Sequence, residues 1–396
     1  MANIGYIQVV RHCNHFCGFC SNPTTPYVHT FESMRVLVDD FVRRGYFGVI
    51  LTGGEPSLHP ELPQITRYAR DAGLHVRMIT NGFRLADPAF AAELAAAGLQ
   101  LVHVSVYSVR PEVEERLRAT PDTLQRALAA IDNAHRFGIE VNVNCVINKL
   151  NADHLDENVR HFLKHHPHVR HFIWNNLDPS MGRAEVNQAE FTPRLADFER
   201  SLWRALCLLH QSGRTFRVEK VPLCYLSGFE WASTETRKIV KGEERIVHFL
   251  DHKQTVRQTD WQHLYAEACG VCSLRSICGG LFDRGAAYDK AELAPVFVSQ
   301  DAIVEHILRD ESDPATEPMT LEQWREEHGA RLSAAALPPD RADTPPGLPG
   351  APSVGLVTLE SLRRFQQKRN AEARRAASAK VALEPLPPLP DVEPKG

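Results

Sequence analysis

From Tyr6 to Asn176, short apolar, β-branched runs alternate with stretches of helix length, and that alternation restricts the fold more than any other feature of the chain. The β-like runs are Tyr6–Val10, Gly48–Thr52, His75–Thr80, Leu101–Tyr107, Val141–Ile147 and His171–Asn175. Helical stretches lie between them over residues 31–44, 61–72, 88–97, 123–137 and 153–165. Six strands separated by helices predict a parallel sheet whose right-handed crossovers place the helices on one side. A closed barrel of this kind has about eight such units, so the expectation is an α/β fold with an open, six-stranded (βα)6 partial barrel. In that architecture chemistry sits at the C-terminal ends of the strands.

Strand parity says which side chains face inward. On the fourth strand Val102, Val104 and Val106 suit packing against helices, while Leu101, His103, Ser105 and Tyr107 face the barrel interior. On the fifth, Val141, Val143, Cys145 and Ile147 point outward, and Asn142, Asn144 and Asn148 inward. Polar residues on the inner face of two neighbouring strands point to an interior filled by ligand or by a hydrated hydrogen-bond network.

Directly after the first strand comes Cys13-Asn14-His15-Phe16-Cys17-Gly18-Phe19-Cys20. Three thiolates on one tight loop can hold three corners of a 4Fe–4S cluster and leave the fourth iron open to something reactive. The alternative is structural zinc, which wants four ligands, usually in paired C-x2-C elements. His15 is badly spaced to complete a tetrahedron.

The trio C-x3-C-x-aromatic-C, followed by Gly53-Gly54-Glu55-Pro56 at the end of the second strand, resembles the radical S-adenosylmethionine superfamily over about residues 4–300. The resemblance implies a six-stranded partial barrel and a 4Fe–4S cluster on Cys13, Cys17 and Cys20, with Phe19 beside it. It also implies reductive cleavage of S-adenosylmethionine to a 5′-deoxyadenosyl radical that abstracts hydrogen from a substrate. Gly53, Gly54 and Glu55, with Pro56 completing the motif, would hold the methionine amino group, the carboxylate pairing with the ammonium. Thr80-Asn81-Gly82 closes the third strand, with Asn81 a candidate cofactor contact or simply part of a glycine turn. Ser105 occupies a ribose or carboxylate contact position, although Ser105-Val106-Tyr107 stands where the family often has Ser-x-Asp. Asn144 matches the polar position on the fifth strand, and Gly182-Arg183-Ala184 resembles a family segment near the nucleoside.

A second set of cysteines follows: Cys224, Cys269, Cys272 and Cys278. By spacing alone four thiolates suit a saturated 4Fe–4S cluster or a zinc ion equally. Following a radical S-adenosylmethionine core, C-x2-C-x5-C is similar to the SPASM/twitch extension that carries auxiliary clusters. The fuller SPASM pattern has a further cysteine where this chain has Phe282, so the shorter twitch form with one auxiliary cluster fits. Four cysteines leave no iron open, which favours electron transfer over substrate ligation. Cys145 and Cys207 remain, on apolar faces, as inert buried thiols.

The expected organisation is a core at 1–185, a small α+β auxiliary-cluster domain at 186–310, and a Pro-rich, mostly disordered tail at 311–396 with a basic helix near 356–383. Apolar content of 43% and charged content of 24% are those of an ordinary globular protein, and a net charge of −4 disfavours nucleic acid as a partner. No signal peptide or membrane-length apolar run is present, and the clustering of seven of the nine cysteines reads as metal binding in a cytoplasmic enzyme. The functional expectation is peptide maturation, with flavodoxin or ferredoxin as reductant, although the chain begins close to the first strand and leaves little room for a leader-binding domain. The alternatives are a small-molecule radical dehydrogenase or cofactor and natural-product enzyme, and a non-catalytic iron–sulfur sensor. Molybdopterin biosynthesis is disfavoured because that family ends in Gly-Gly, whereas this chain ends Pro394-Lys395-Gly396.

Overall fold

Each β-branched run of the N-terminal half forms a strand, because its outward side chains have helices to bury against. The computed structural model describes residues 4–22, 27–250, 254–282, 287–309 and 319–335. These fall within one unit, residues 1–338. The strands are β1 (Ile4–Val10), β2 (Gly48–Gly53), β3 (His75–Thr80), β4 (Leu101–Ser105), β5 (Glu140–Ile147), β6 (His171–Asn176), β7 (Thr215–Glu219), β8 (Arg245–His248) and β9 (Thr255–Gln258). The helices that place the site are α1 (Phe31–Arg43), α2 (Leu62–Asp71), α3 (Pro88–Ala97), α4 (Pro111–Arg118), α5 (Thr123–Arg136), α6 (Leu155–His165), α7 (Gly182–Val186), α8 (Gln188–Phe191), α9 (Leu195–Gln211), α10 (Thr234–Lys241), α11 (Asp301–Leu308) and α12 (Leu321–Ala335).

The strands form one sheet in the order β7-β6-β5-β4-β3-β2-β1-β8-β9. Every neighbouring pair is parallel except β8 with β9. The six expected strands are therefore in place, but the sheet does not stop at six. Residues 186–310, expected to stand apart as a small domain, supply β7 beside β6 and the β8–β9 pair beside β1. The sheet curls far enough that Arg245 of β8 meets Glu219 of β7 at 3.1 Å, an ion pair across the open seam. Arg245 also lies over the rings of Tyr6 and Trp261, 5.2 Å from each.

Val102, Val104, Val141, Val143 and Cys145 belong to the buried apolar layer between sheet and helices. Trp174, Phe162, Phe172, Phe198 and Phe216 fill that layer beneath α6 and α9. Leu101, His103 and Tyr107, with Asn142, Asn144 and Asn175, line the interior instead, as parity requires. Asn148 departs from that pattern. β5 ends at Ile147, and the Asn148 side chain turns back to accept the Leu150 N–H at 3.0 Å, so it caps a turn.

The stretch expected to begin a disordered tail includes α12. Its Trp324 is buried and donates its indole N–H to the Val240 carbonyl at 2.7 Å. The expected basic helix at 356–383 and the Pro-rich runs lie outside the described residues. Among the described residues no helix is long and apolar enough to cross a membrane.

Candidate active site

The cysteine loop leaves the C-terminal end of β1 and is held from three sides. From β2, the Gly54 and Glu55 N–H groups donate to the Val10 and His12 carbonyls at 2.8 and 3.0 Å. This approach is close enough to require both glycines: a Cβ on Gly53 would lie 2.1 Å from the Val10 oxygen, and one on Gly54 would lie 1.9 Å from the His12 oxygen. Gly53 also has φ +131°, which side-chain-bearing residues avoid. The glycines thus bring the motif against the chain's own backbone, where the sequence suggested an approach to a ligand.

Glu55 differs from expectation in the same sense. Its buried carboxylate is turned toward the end of β3, accepting the Ser57 N–H at 3.1 Å and the Thr80 hydroxyl and Asn81 N–H at 2.7 Å each. Three donors already satisfy most of its acceptor capacity, so the carboxylate acts as a brace, not as a free ion-pair partner. Pro56 opens the single 3-10 turn that Glu55 caps. Asn81 carries the brace onward, donating to Asn14 Oδ1 at 2.8 Å and lying 3.8 Å from Cys13 Sγ.

The second support is α4. The Arg118 carbonyl accepts the Phe16 N–H at 3.1 Å, and its guanidinium reaches His15 Nδ1 at 3.2 Å and the carbonyl of Ser105. Ser105 therefore contributes its main chain to holding the loop. The third support is α7–α8: Arg183 Nε donates to the Cys17 carbonyl at 2.8 Å and Asn187 Nδ2 to the Gly18 carbonyl at 3.0 Å. Phe19 packs edge-on against Tyr107, with centroids 4.8 Å apart, and lies 6.1 Å from the Phe191 ring. Neither α4 nor Asn187 stood out in the sequence, because Glu114 and Arg118 at i,i+4 look like an ordinary surface pair. Their only sequence signal was position, one on the connection after β4 and the other just past the Gly-Arg-Ala segment.

So held, the loop borders a cavity of about 890 Å3 that Cys17, Phe19 and Cys20 line together with Asn144, Asn175 and Asn176. Asn144 Oδ1 accepts from Asn175 Nδ2 at 2.8 Å, giving the wall a fixed polar pair. Deeper in, His103 is buried with neither ring nitrogen hydrogen-bonded to protein, and Asn142 Oδ1 is likewise unpaired. Burial, and then the nearby Arg77 charge, lowers the His103 pKa to about 3, so its imidazole is neutral. Burial raises the Cys17 thiol to about 12 and also raises Cys13, and the neighbouring thiols push the same way, with Arg118 pulling Cys17 back. Burial that disfavours bare thiolates at Cys17 and Cys13 suits a polycation to share their charge.

The second set also converges. Burial raises Cys224 to about 12, and the charges of Cys278, Cys269 and Cys272 reach it and add to the rise. Gly280 and Val296 each aim an N–H at a sulfur, at Cys278 and Cys272 respectively, both at 3.3 Å. Among the described residues, no three cysteine sulfurs lie within 4.8 Å of one another. Cys145 is buried in the core, and Cys207 is half-buried on α9.

Residues 7–162 match the family model described as the radical SAM superfamily. The chain carries a radical SAM domain. Over 152 residues it is 31% identical to the AdoMet-dependent heme synthase of Methanosarcina barkeri, covering 37% of this chain and 43% of that one. To the PqqA peptide cyclase of Ruegeria pomeroyi it is 28% identical over 156 residues, covering 38% and 41%. The match thus spans less than half the length of these curated relatives. Streptococcus suis SuiB bound to S-adenosylmethionine superposes with a TM-score of 0.53 at 16% identity, over 70% of this chain and 72% of that one. For anSMEcpe with bound AdoMet the TM-score is 0.52 at 14% identity, over 84% and 99%. The radical SAM domain implies a 4Fe–4S cluster and S-adenosylmethionine, and the donor set fits: three thiols on one braced loop, two of them lining a roomy, partly polar cavity.

Proposed function

We propose that the chain is a radical SAM enzyme acting on a peptide, with Cys13, Cys17 and Cys20 holding the catalytic cluster. When bound, that cluster supplies the electron that splits S-adenosylmethionine to a 5′-deoxyadenosyl radical able to abstract hydrogen. The observation that carries the reading is the loop itself. Its three cysteines follow the C-terminal end of β1, fixed by β2, α4 and α7–α8, and Cys17 and Cys20 line the cavity. The residues of the chain bind and orient. Asn144 and Asn175 offer hydrogen bonds on the wall, Phe19 and Tyr107 give an apolar ledge beside the loop, and the Gly53-Gly54 backbone sets where the methionine end lies. Glu55 and Asn81 hold the two strand ends in register beneath it.

Cys224, Cys269, Cys272 and Cys278 would hold an auxiliary cluster that relays an electron, making residues 186–310 the cluster-bearing part. The peptide class is supported by the PqqA peptide cyclase relative. A second reading, a small-molecule substrate, is favoured by the heme synthase relative and by the GTP 3′,8-cyclase of Nautilia profundicola, 31% identical over 154 residues. Flavodoxin or ferredoxin in the cytoplasm would supply the electron.

The test is anaerobic reconstitution followed by dithionite and S-adenosylmethionine. About eight irons per chain and 5′-deoxyadenosine formation are expected. Normal cleavage by a Cys17→Ala variant would overturn the assignment, and zinc found at Cys269 and Cys272 would remove the electron relay.

A further inference from the structure

Away from the cysteine loop, five histidines gather where α5, α6 and the entry to β6 meet: His135, His161, His165, His166 and His168. We propose that Asp132, His166 and His168 form a binding site for a divalent transition-metal ion of the zinc class. Their ligand atoms all lie within 4.8 Å of one another. Asp132 Oδ1 is 2.8 Å from His166 Nδ1 and 4.0 Å from His168 Nε2. Zinc with bonds of about 2.0–2.1 Å spaces tetrahedral donors at roughly 3.3 Å, so the first distance must open and the second close by less than 1 Å. Asp132 is 59% exposed and can make that adjustment, whereas His166 is 8% exposed and is held in place.

Two further observations point the same way. The Nε2 atoms of His168 and His161 are buried and have no hydrogen-bond partner, so each presents an unused lone pair or donor at the cluster. The His168 ring is also fixed, stacked on His135 with centroids 4.1 Å apart and planes within 10°. Two imidazoles and one carboxylate with a position left for water are a familiar donor set for zinc, nickel and copper, and a poor one for magnesium or calcium.

The site ties the C-terminal half of α5 to the turn between α6 and β6, at the ends of the strands remote from the cysteine loop. Barrel features at that end serve stability. The ion is therefore a clamp that stabilises the fold, independent of the radical chemistry.

The experiment uses the cluster-loaded full chain, with zinc added and then dialysed. Wild type should retain about one zinc beyond its iron, and both His168→Ala and Asp132→Asn should lose it while iron content and 5′-deoxyadenosine formation stay unchanged. Zinc should raise the unfolding temperature of wild type by several degrees and leave the variants where they were. Copper(II) bound in place of zinc should show nitrogen hyperfine structure from two imidazoles. Should His168→Ala fail to fold, Asp132→Asn decides by the same readouts. No zinc retained by wild type, or equal retention by a folded variant, overturns the proposal.

Discussion

The Arg118 guanidinium donates to the Glu114 carboxylate at 2.6 Å across one turn of α4, and neither side chain reaches solvent. The second Glu114 oxygen accepts the Tyr107 and Ser108 N–H groups at 3.0 and 2.9 Å, so one ion pair joins the end of β4 to the cysteine loop. Burial, the largest single influence, works against the guanidinium charge, but the Glu114 carboxylate and the other acidic neighbours together outweigh it and hold the Arg118 proton more tightly than usual. Arg118→Met leaves Glu114 buried and unpaired, and should cost about 3–5 kcal/mol in urea unfolding. Cluster occupancy should fall with it, since His15 and Ser105 lose their partner. Adding Glu114→Gln should recover part of the loss, and a single variant as stable as wild type would show that the pair braces nothing.

Gly53 and Gly54 differ from most turn glycines because space forbids a side chain at both, and at Gly53 φ does so as well. Gly45 offers the comparison: its φ is +71°, yet nothing lies within 4 Å of an added Cβ. Gly45→Ala should cost only about 1 kcal/mol, the strain of a left-handed residue. Gly54→Ala must displace the His12 carbonyl and, with it, the loop carrying Cys13. It should bind little iron and unfold several degrees lower. Equal iron content in the two variants would mean that the β2–loop contact does not position the cysteines.

Strands β1 to β6 were legible because each is a β-branched run bounded by a helix of ordinary length, and parity correctly turned His103, Asn142 and Asn144 inward. Asn148 was misread because parity was carried one residue past the strand end. Strands β7 to β9 were missed because Thr215–Glu219, Arg245–His248 and Thr255–Gln258 are only four or five residues long and carry charges. Their stability comes from neighbours far away in sequence, which no local window reports. The cysteine loop was legible from spacing, but its braces were not. Glu114 and Arg118 become buried only once β4 and the loop fold over them.

Helix α12 makes the same point. Its first eight residues, Leu321-Glu322-Gln323-Trp324-Arg325-Glu326-Glu327-His328, are dominated by charge, and among them Trp324 is the large side chain that is fully buried. Trp324 is 1% exposed and stacks on His328 with ring centroids 5.3 Å apart. Trp324→Ala should therefore cost about 3–5 kcal/mol, with a matching drop in unfolding temperature. A variant as stable as wild type would mean that α12 does not belong to the folded unit.

The seam between β7 and β8 gives stability a specific pH dependence. Burial, and then the charge of Glu219, raises the Glu235 carboxyl to about 7, although the Lys220 N–H and Arg245 favour the anion. Unfolded, the same group titrates near 4.5. Between those values the folded chain holds a proton that the unfolded chain releases. This contribution to stability is complete below about 4.5, declines as pH rises through 7, and is level above. Its slope approaches about 1.4 kcal/mol per pH unit. His103 tilts the balance the other way: its pKa, lowered to about 3, means that stability is lost as pH falls below 6.5 because only the unfolded ring takes a proton. Wild-type stability alone therefore shows a muted optimum. Glu235→Gln removes one arm, since a neutral amide oxygen still accepts the Lys220 N–H at the position where Glu235 does so at 3.1 Å. The difference in unfolding free energy between wild type and Glu235→Gln, measured in urea across this range, should favour wild type less as pH rises and become constant above 7. Parallel curves would mean that Glu235 keeps its ordinary carboxylate titration, and that Arg245 neutralises both acids at the seam.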